Sequence, residues 1–204
     1  QRSFRCFFWL ANSISLLFHM ITQHYAILML GASGVGKTSL ARHIVHDNYE
    51  YVPPIENNFR KQMRVDDISC VVDIFDPDYE FQLMKEQSYR LSHGFMMVFS
   101  PDCPTSTETI ATLYDEIYNI KEATWPMVIV ANKSDLQVED RQVVQTGNDM
   151  AKHWNVPFFE VSAKTGVNVA EAYSELIRQI RAFKSAEPPE GVNPKKKTGN
   201  CCLQ

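Results

Sequence analysis

Short apolar runs alternate with segments of helical length along most of this chain. The runs are nearly continuous in hydrophobic residues, which is typical of parallel strands that are covered on both faces. They occupy Tyr25–Leu30, Gly94–Ser100, Met127–Ala131 and Val156–Val161. The clearest helical segment is Val169–Phe183, in which apolar residues recur every three or four positions along one face. This alternation predicts a doubly wound α/β sheet with helices on both faces.

Two strands near the start depart from that alternation. Asn58–Val65 and Ile68–Phe75 are separated only by Asp66 and Asp67, and a two-residue connection joins antiparallel neighbours in a hairpin. Together with the four apolar runs, these two segments predict a six-stranded sheet that is mostly parallel and contains one antiparallel strand.

The composition favours one well-packed domain that does not bind nucleic acid. The 204 residues are 45% hydrophobic and 22% charged, which is enough to build a full core. Lysine and arginine number 20 against 24 aspartate and glutamate residues, and without Lys195–Lys197 the balance is 17 against 24. An acidic body offers no basic surplus for nucleic acid. The five cysteines are odd in number and lack zinc-type spacing, which favours a reducing compartment.

The two ends differ from the body of the chain. Residues 1–19 begin with Gln1, carry two arginines and then run apolar, which resembles a secretory signal peptide. Because the downstream motifs are typical of the cytosol, and because Met20 stands just ahead of the first strand, our hypothesis is that 1–19 is an atypical extension that is not native. Residues 20–184 form the predicted domain. Residues 185–204 are rich in proline and lysine and predict a flexible tail.

A glycine-rich segment follows the first apolar run and opens a helix. Gly31-Ala-Ser-Gly-Val-Gly-Lys-Thr38 matches GxxxxGK[ST] in the strand-to-helix context which that pattern requires. Its glycines let backbone N–H groups turn toward phosphate oxygens, Lys37 reaches the terminal phosphates, and the Thr38 hydroxyl can ligate Mg²⁺. The alternative is a glycine turn before an ordinary helix. The predicted phosphate-binding residues are Gly31, Ser33, Gly34, Val35, Gly36, Lys37, Thr38 and Ser39.

A second motif indicates which base is bound. Asn132-Lys133-Ser134-Asp135 stands directly after the run that ends at Ala131. A carboxylate such as that of Asp135 accepts both the ring N–H and the amino group of guanine, a donor pair that adenine lacks. A third segment, Ser162-Ala163-Lys164, also follows a strand and can aim a backbone N–H at guanine O6. Three such loops in this order predict a P-loop NTPase fold with a site for guanine.

With these motifs the chain resembles a Ras-type small GTPase, from about Tyr25 to Lys184 and again at its last four residues. The resemblance implies GTP or GDP and Mg²⁺ as cofactors, with effector proteins, an exchange factor and a GTPase-activating protein as partners. It also implies that Tyr49 stacks beside the guanine and that Asp76 holds the water shell of Mg²⁺. The implied effector region contains Tyr51, Ile55, Glu56, Asn57 and Phe59.

The sequence departs from that family where the γ-phosphate would be sensed. Pro54 stands where the family keeps the threonine that closes over Mg²⁺ and the γ-phosphate, and Ser33 occupies a position that the family gives to glycine. After Asp76 the chain reads Pro-Asp-Tyr-Glu-Phe, so it lacks the glycine and the glutamine of the family's DxxGQ. These departures predict that nucleotide binds while hydrolysis and switching are impaired. Two alternatives are a non-hydrolysing membrane-tethered adaptor with a mainly structural nucleotide, and a gene model that skipped codons.

The last four residues predict a lipid anchor. Cys201-Cys-Leu-Gln204 fits the C-a-a-X pattern, and its final glutamine indicates a farnesyl group on Cys201. One prenyl chain binds membranes weakly, and Lys195–Lys197 can supplement it at an anionic leaflet. We therefore expect a lipid-anchored protein on the cytoplasmic face of the plasma membrane or of an endomembrane. The alternatives are geranylgeranyl groups on both Cys201 and Cys202, and an unmodified tail.

Overall fold

The structure is a computed structural model that describes residues 23–46, 58–77, 81–121, 125–137 and 141–186. Within these ranges six strands form one sheet in the order β2-β3-β1-β4-β5-β6. Five strands run parallel, and β2 is antiparallel to β3. The predicted doubly wound α/β fold is therefore confirmed. The strands are β1 Gln23–Leu30, β2 Asn58–Val65, β3 Ile68–Phe75, β4 Gly94–Phe99, β5 Met127–Ala131 and β6 Phe158–Glu160.

Five helices of the described residues connect and cover the strands. They are α1 Lys37–His46, α2 Phe81–Leu91, α3 Ser106–Lys121, α4 Gln142–Trp154 and α5 Val169–Ala186. The last of these confirms the clearest helical pattern in the sequence and continues it by one more turn. No helix in these ranges combines the length and the hydropathy that crossing a membrane requires.

The sheet separates two hydrophobic layers. Because successive strand residues point to opposite faces, Ile27 and Met29 of β1 pack on one side with α1 and α5. Leu28 and Leu30 of the same strand pack on the other side with α2, α3 and α4. Burial on both faces explains why the central strands are apolar throughout, since a strand with one wet face would alternate polar and apolar residues.

The hairpin between β2 and β3 is fastened to α5 by two arginines. Asp66 and Asp67 form its turn with φ values of 50° and 64°, as expected when a two-residue turn joins twisted antiparallel strands. The guanidinium of Arg181 donates to the carbonyl oxygens of Val65 at 2.7 Å and of Ile68 at 3.1 Å. Arg178 forms an ion pair with Asp66 at 3.0 Å. These contacts hold the β2–β3 hairpin against α5.

Strand β6 is shorter than the apolar run Val156–Val161 predicted. Asn155 adopts the left-handed conformation that ends α4, and the Val156 N–H donates to the Ala151 carbonyl at 2.9 Å. Val156 therefore closes the helix, because an apolar residue just past a helix end commonly packs back on its last turn. Hydrophobicity alone does not distinguish this role from a place in a strand.

Candidate functional site

The predicted motifs lie together at the carboxyl edge of the sheet. The glycine-rich loop leaves β1, Asp76 follows β3, the loop that starts at Asn132 leaves β5, and the loop containing Ser162 follows β6. Parallel strands end at the same edge, and ligands of open α/β sheets bind in the crevice outside that edge. The topology therefore gathers segments that lie far apart in the sequence into one site.

The glycine-rich loop can take its shape only with glycine at two positions. Gly31 has a φ of 144°, and a Cβ atom there would lie 2.0 Å from the Val98 carbonyl oxygen. Gly36 has a φ of 95°, and a Cβ atom there would lie 2.3 Å from Nδ2 of Asn132. Between them Val35 is fully buried and Ser33 is exposed. The result is a loop that opens at the amino end of α1, where backbone N–H groups favour anions.

Lys37 places a cation inside this loop. Its Nζ donates to the carbonyl oxygens of Gly31 at 3.1 Å and of Ala32 at 2.9 Å. Burial lowers the pKa of Lys37 from its ordinary value, and the nearby charge of Asp76 partly offsets that effect. A cation that is shielded from water interacts more strongly with phosphate than one at the surface.

Two oxygen-bearing side chains meet beside the loop. The Thr38 hydroxyl donates to Oδ2 of Asp76, and Asp76 is only 7% exposed. Ser39 follows in the first turn of α1. Hydroxyl and carboxylate oxygens are the ligands that Mg²⁺ prefers, either directly or through water, so the residues present suit this ion.

Asn132 joins the two ends of the site. Its side chain is buried, with 1% of the residue exposed, and Nδ2 donates to the Val35 carbonyl at 2.9 Å. Its Oδ1 accepts the Ala163 N–H at 3.1 Å. The same asparagine therefore connects the phosphate loop with the loop after β6. The sequence predicts that a backbone N–H of Ser162-Ala163-Lys164 faces guanine O6, and in the structure the Ala163 N–H donates to Asn132.

The Asp135 carboxylate is held in a fixed orientation. Ser162 Oγ donates to Oδ1 at 2.6 Å, and Lys164 Nζ lies 3.9 Å from Oδ2. The Ser162 hydroxyl also accepts the Thr165 N–H at 3.1 Å. The Asp135 side chain is 18% exposed, so most of it is covered while part of the side chain remains accessible to a ligand. Such a carboxylate suits the paired donors of guanine.

Sequence reasoning missed one residue of this site, Asp102. Its Oδ2 accepts a hydrogen bond from Lys133 Nζ at 2.7 Å, and its Oδ1 accepts one from the Ser100 hydroxyl. A signal for this contact was present, because Asp102 follows β4 and Lys133 follows β5, and those strands are neighbours.

Several predicted residues lie outside the described ranges. Phe59 is described: it lies on β2 and packs partly buried against the layer that contains α1 and α5. No group of three potential metal ligands of the histidine, cysteine, aspartate and glutamate types occurs in the described part of the chain. The predicted residues that lie outside the described ranges are Tyr49, Tyr51, Pro54, Ile55, Glu56, Asn57, Lys195–Lys197 and Cys201.

The buried Asn132 connects the phosphate loop to the loop after β6, and Ser162 of that loop orients the Asp135 carboxylate. These features define a guanine-nucleotide-binding protein of the P-loop class. Comparison with known proteins identifies the branch. The Ras family model matches residues 26–182. The chain is also 36% identical over 179 residues to the Ras-like protein rasC of Dictyostelium discoideum. The matched region covers 85% of this chain and 95% of that protein. The chain belongs to the Ras family, and it is a small GTPase that binds guanine nucleotide.

Proposed function

We propose that this protein is a membrane-attached Ras-type GTPase that binds GTP and GDP with Mg²⁺, hydrolyses GTP slowly and switches weakly. The observation that carries this proposal is a contrast between two parts of the site. The loops proposed for base and phosphate are held together by hydrogen bonds among their own residues, from Lys37 to Asp135. The segment after Asp76 contains neither the glycine nor the glutamine of DxxGQ.

The described residues support nucleotide binding. The glycine-rich loop and Lys37 would hold the phosphates, Thr38 and Asp76 would hold Mg²⁺, and Asp135 would hold the guanine. Bound Mg²⁺ neutralises charge on the phosphate oxygens. Lys37 supplies a further fixed positive charge from within the loop, and the Asp76 carboxylate beside it favours a divalent cation over a second anion.

Slow hydrolysis is expected from the residues that stand where the family has its switch threonine and the glycine and glutamine of DxxGQ. GTP hydrolysis needs a group that orients the attacking water, which in Ras proteins is a glutamine. Tyr79 and Glu80 stand at the positions of the glycine and the glutamine of DxxGQ, and Pro54 has neither an N–H nor a hydroxyl. A GTPase-activating protein that supplies an arginine would then find no glutamine to position, and Ser33 would crowd its approach. Weak ordering by the γ-phosphate is expected for the same reasons.

Single-turnover hydrolysis on the purified full chain tests this proposal. With GTP and Mg²⁺ bound, we expect hydrolysis far below the roughly 5–20 s⁻¹ of Ras proteins stimulated by their activator. The matched variant is Tyr79→Gly with Glu80→Gln, which restores DxxGQ after Asp76, combined with Pro54→Thr. Faster hydrolysis in that variant supports the proposal, whereas native hydrolysis at the stimulated rate would refute it.

Membrane attachment is supported by the sequence of the tail. Cys201 has the C-a-a-X context, and Lys195–Lys197 would add about 1 kcal/mol each near an anionic leaflet. Attachment would bring the protein to the cytoplasmic face of the plasma membrane or an endomembrane, where effectors and an exchange factor meet it. Asn57 replaces an acidic effector residue of the family, so we expect its effectors to differ from those of other Ras proteins.

The C-terminal peptide of the protein from eukaryotic cells is expected to carry one farnesyl group on Cys201 and to end there, because C-a-a-X processing removes the last three residues. Mass spectrometry of that peptide is the measurement, and the Cys201→Ser variant is the control. Two geranylgeranyl groups, or an unmodified peptide ending at Gln204, would contradict this expectation.

A further inference from the structure

We propose that Asp102 is a positioning residue for guanine nucleotide binding, which fixes Lys133 in the base loop and thereby slows nucleotide release. The inference rests on the nucleotide binding in the proposed function, and it does not depend on slow hydrolysis. The juxtaposition that carries it is the ion pair between Lys133 Nζ and Asp102 Oδ2 at 2.7 Å, which bridges the loops after β5 and β4.

Asp102 is itself held in place. Ser100 donates from its hydroxyl to the other carboxylate oxygen, and the same hydroxyl lies 3.4 Å from the Asn132 carbonyl oxygen. Partial burial raises the pKa of Asp102, but the hydrogen bonds from Lys133 and Ser100 outweigh it and hold the pKa below the ordinary value. The carboxylate is therefore charged at neutral pH and has one defined orientation toward Lys133.

The backbone on both sides of Lys133 is anchored, and its side chain needs a separate anchor. The Asn132 N–H donates to the Phe99 carbonyl at 2.8 Å, and the Ser134 N–H donates to the Val161 carbonyl at 3.0 Å. Lys133 lies between them with a φ of 64°, which an L residue rarely adopts. Its long side chain is 30% exposed. Among the described residues, only the Asp102 carboxylate is found to bind the ammonium group at its end.

An ordered lysine matters because Lys133 stands between Asn132 and Asp135 in the loop that receives the base. A flexible lysine loses rotamer freedom when a ligand packs against it, and a lysine that is already fixed loses less. Fixing the side chain in advance therefore strengthens binding, and affinity differences of this kind are expressed mainly in the dissociation rate.

Release of a fluorescent GDP analogue into excess unlabelled GDP, measured on the full chain with Mg²⁺, tests the proposal. We expect Asp102→Ala to release the analogue about three- to tenfold faster than the native protein. Asp102→Asn, which keeps the shape of the side chain and removes its charge, should lie between the two. The matched control is Asp149→Ala, which removes the same charge and an ion pair with Lys152 on α4, and it should release at the native rate.

A double-mutant cycle separates positioning from a general structural role. Lys133→Met keeps the apolar stem and removes the ammonium, so Asp102→Ala should change release little in that background. An equal acceleration in both backgrounds would overturn the proposal, as would native release rates in both Asp102 variants. If the analogue does not bind to the native protein at all, the proposed function fails instead. Because the pair is partly exposed, high salt should also reduce the ratio between the variant and native rates.

Discussion

Replacing Asn132 with alanine is expected to have the largest effect on both stability and binding. The substitution leaves the Val35 carbonyl and the Ala163 N–H without the partner that they have in the structure. Each buried polar group left unsatisfied costs about 1–3 kcal/mol, so we expect a loss of about 2–5 kcal/mol in the free energy of unfolding. The phosphate loop and the loop after β6 would also lose their connection, so GDP affinity should fall at least about 100-fold.

Urea unfolding and titration with a fluorescent GDP analogue measure the two effects. Asn148→Ala on α4 is the control, because it removes the same side chain away from the site, and it should change unfolding by no more than about 0.5 kcal/mol. An Asn132→Ala protein that binds GDP with native affinity would show that the two loops keep their positions without this side chain.

Asp135→Asn is expected to exchange the preferred base. An asparagine keeps one oxygen for the ring N–H of guanine but presents an amide N–H to its amino group, and two donors then face each other. A site that leaves such groups unpaired discriminates by as much as about 10⁴-fold. Xanthine carries a carbonyl where guanine carries the amino group, so the variant should prefer xanthosine diphosphate. Ser162 can still donate to the remaining oxygen, as it does to Oδ1 in the structure.

Competition between GDP and xanthosine diphosphate for the fluorescent analogue measures this exchange. The control is Asp149→Asn, the same chemical change on an exposed face of α4, which should leave the base preference untouched. If Asp135→Asn still favoured GDP over xanthosine diphosphate, Asp135 would not be the residue that recognises the base.

Most of the fold could be predicted because its signals are local. Buried parallel strands need apolar residues at every position, so the strands ending at Leu30, Phe99 and Ala131 stand out in the sequence. The hairpin was readable because two residues can connect only antiparallel neighbours. Strand β6 was predicted too long because Val156 is apolar for a different reason, the closing of α4.

The candidate site was predictable to the extent that its residues are contiguous. The phosphate loop and the base loop are short contiguous motifs, so the spacing of their residues indicates the geometry of each loop. The contacts that join them are not local: Asn132 reaches Val35 across 97 positions, and Lys133 reaches Asp102 across 31. Pairs of this kind depend on strand order, which a single sequence specifies only indirectly. Asp102 was therefore overlooked, although the strand that precedes it was predicted.

The contacts between α5 and the β2–β3 hairpin tolerate substitution on the hairpin side more readily than on the α5 side. Arg181 donates to the main-chain carbonyls of Val65 and Ile68, and every amino acid at those positions supplies the same oxygen. Substitutions at Val65 and Ile68 can therefore occur without removing the hydrogen bonds from Arg181. Arg181 has no such freedom, because no other side chain presents several donors in a rigid planar fork. The main-chain part of the attachment between the hairpin and α5 therefore depends on Arg181, whereas the ion pair of Arg178 depends on the side chain of Asp66.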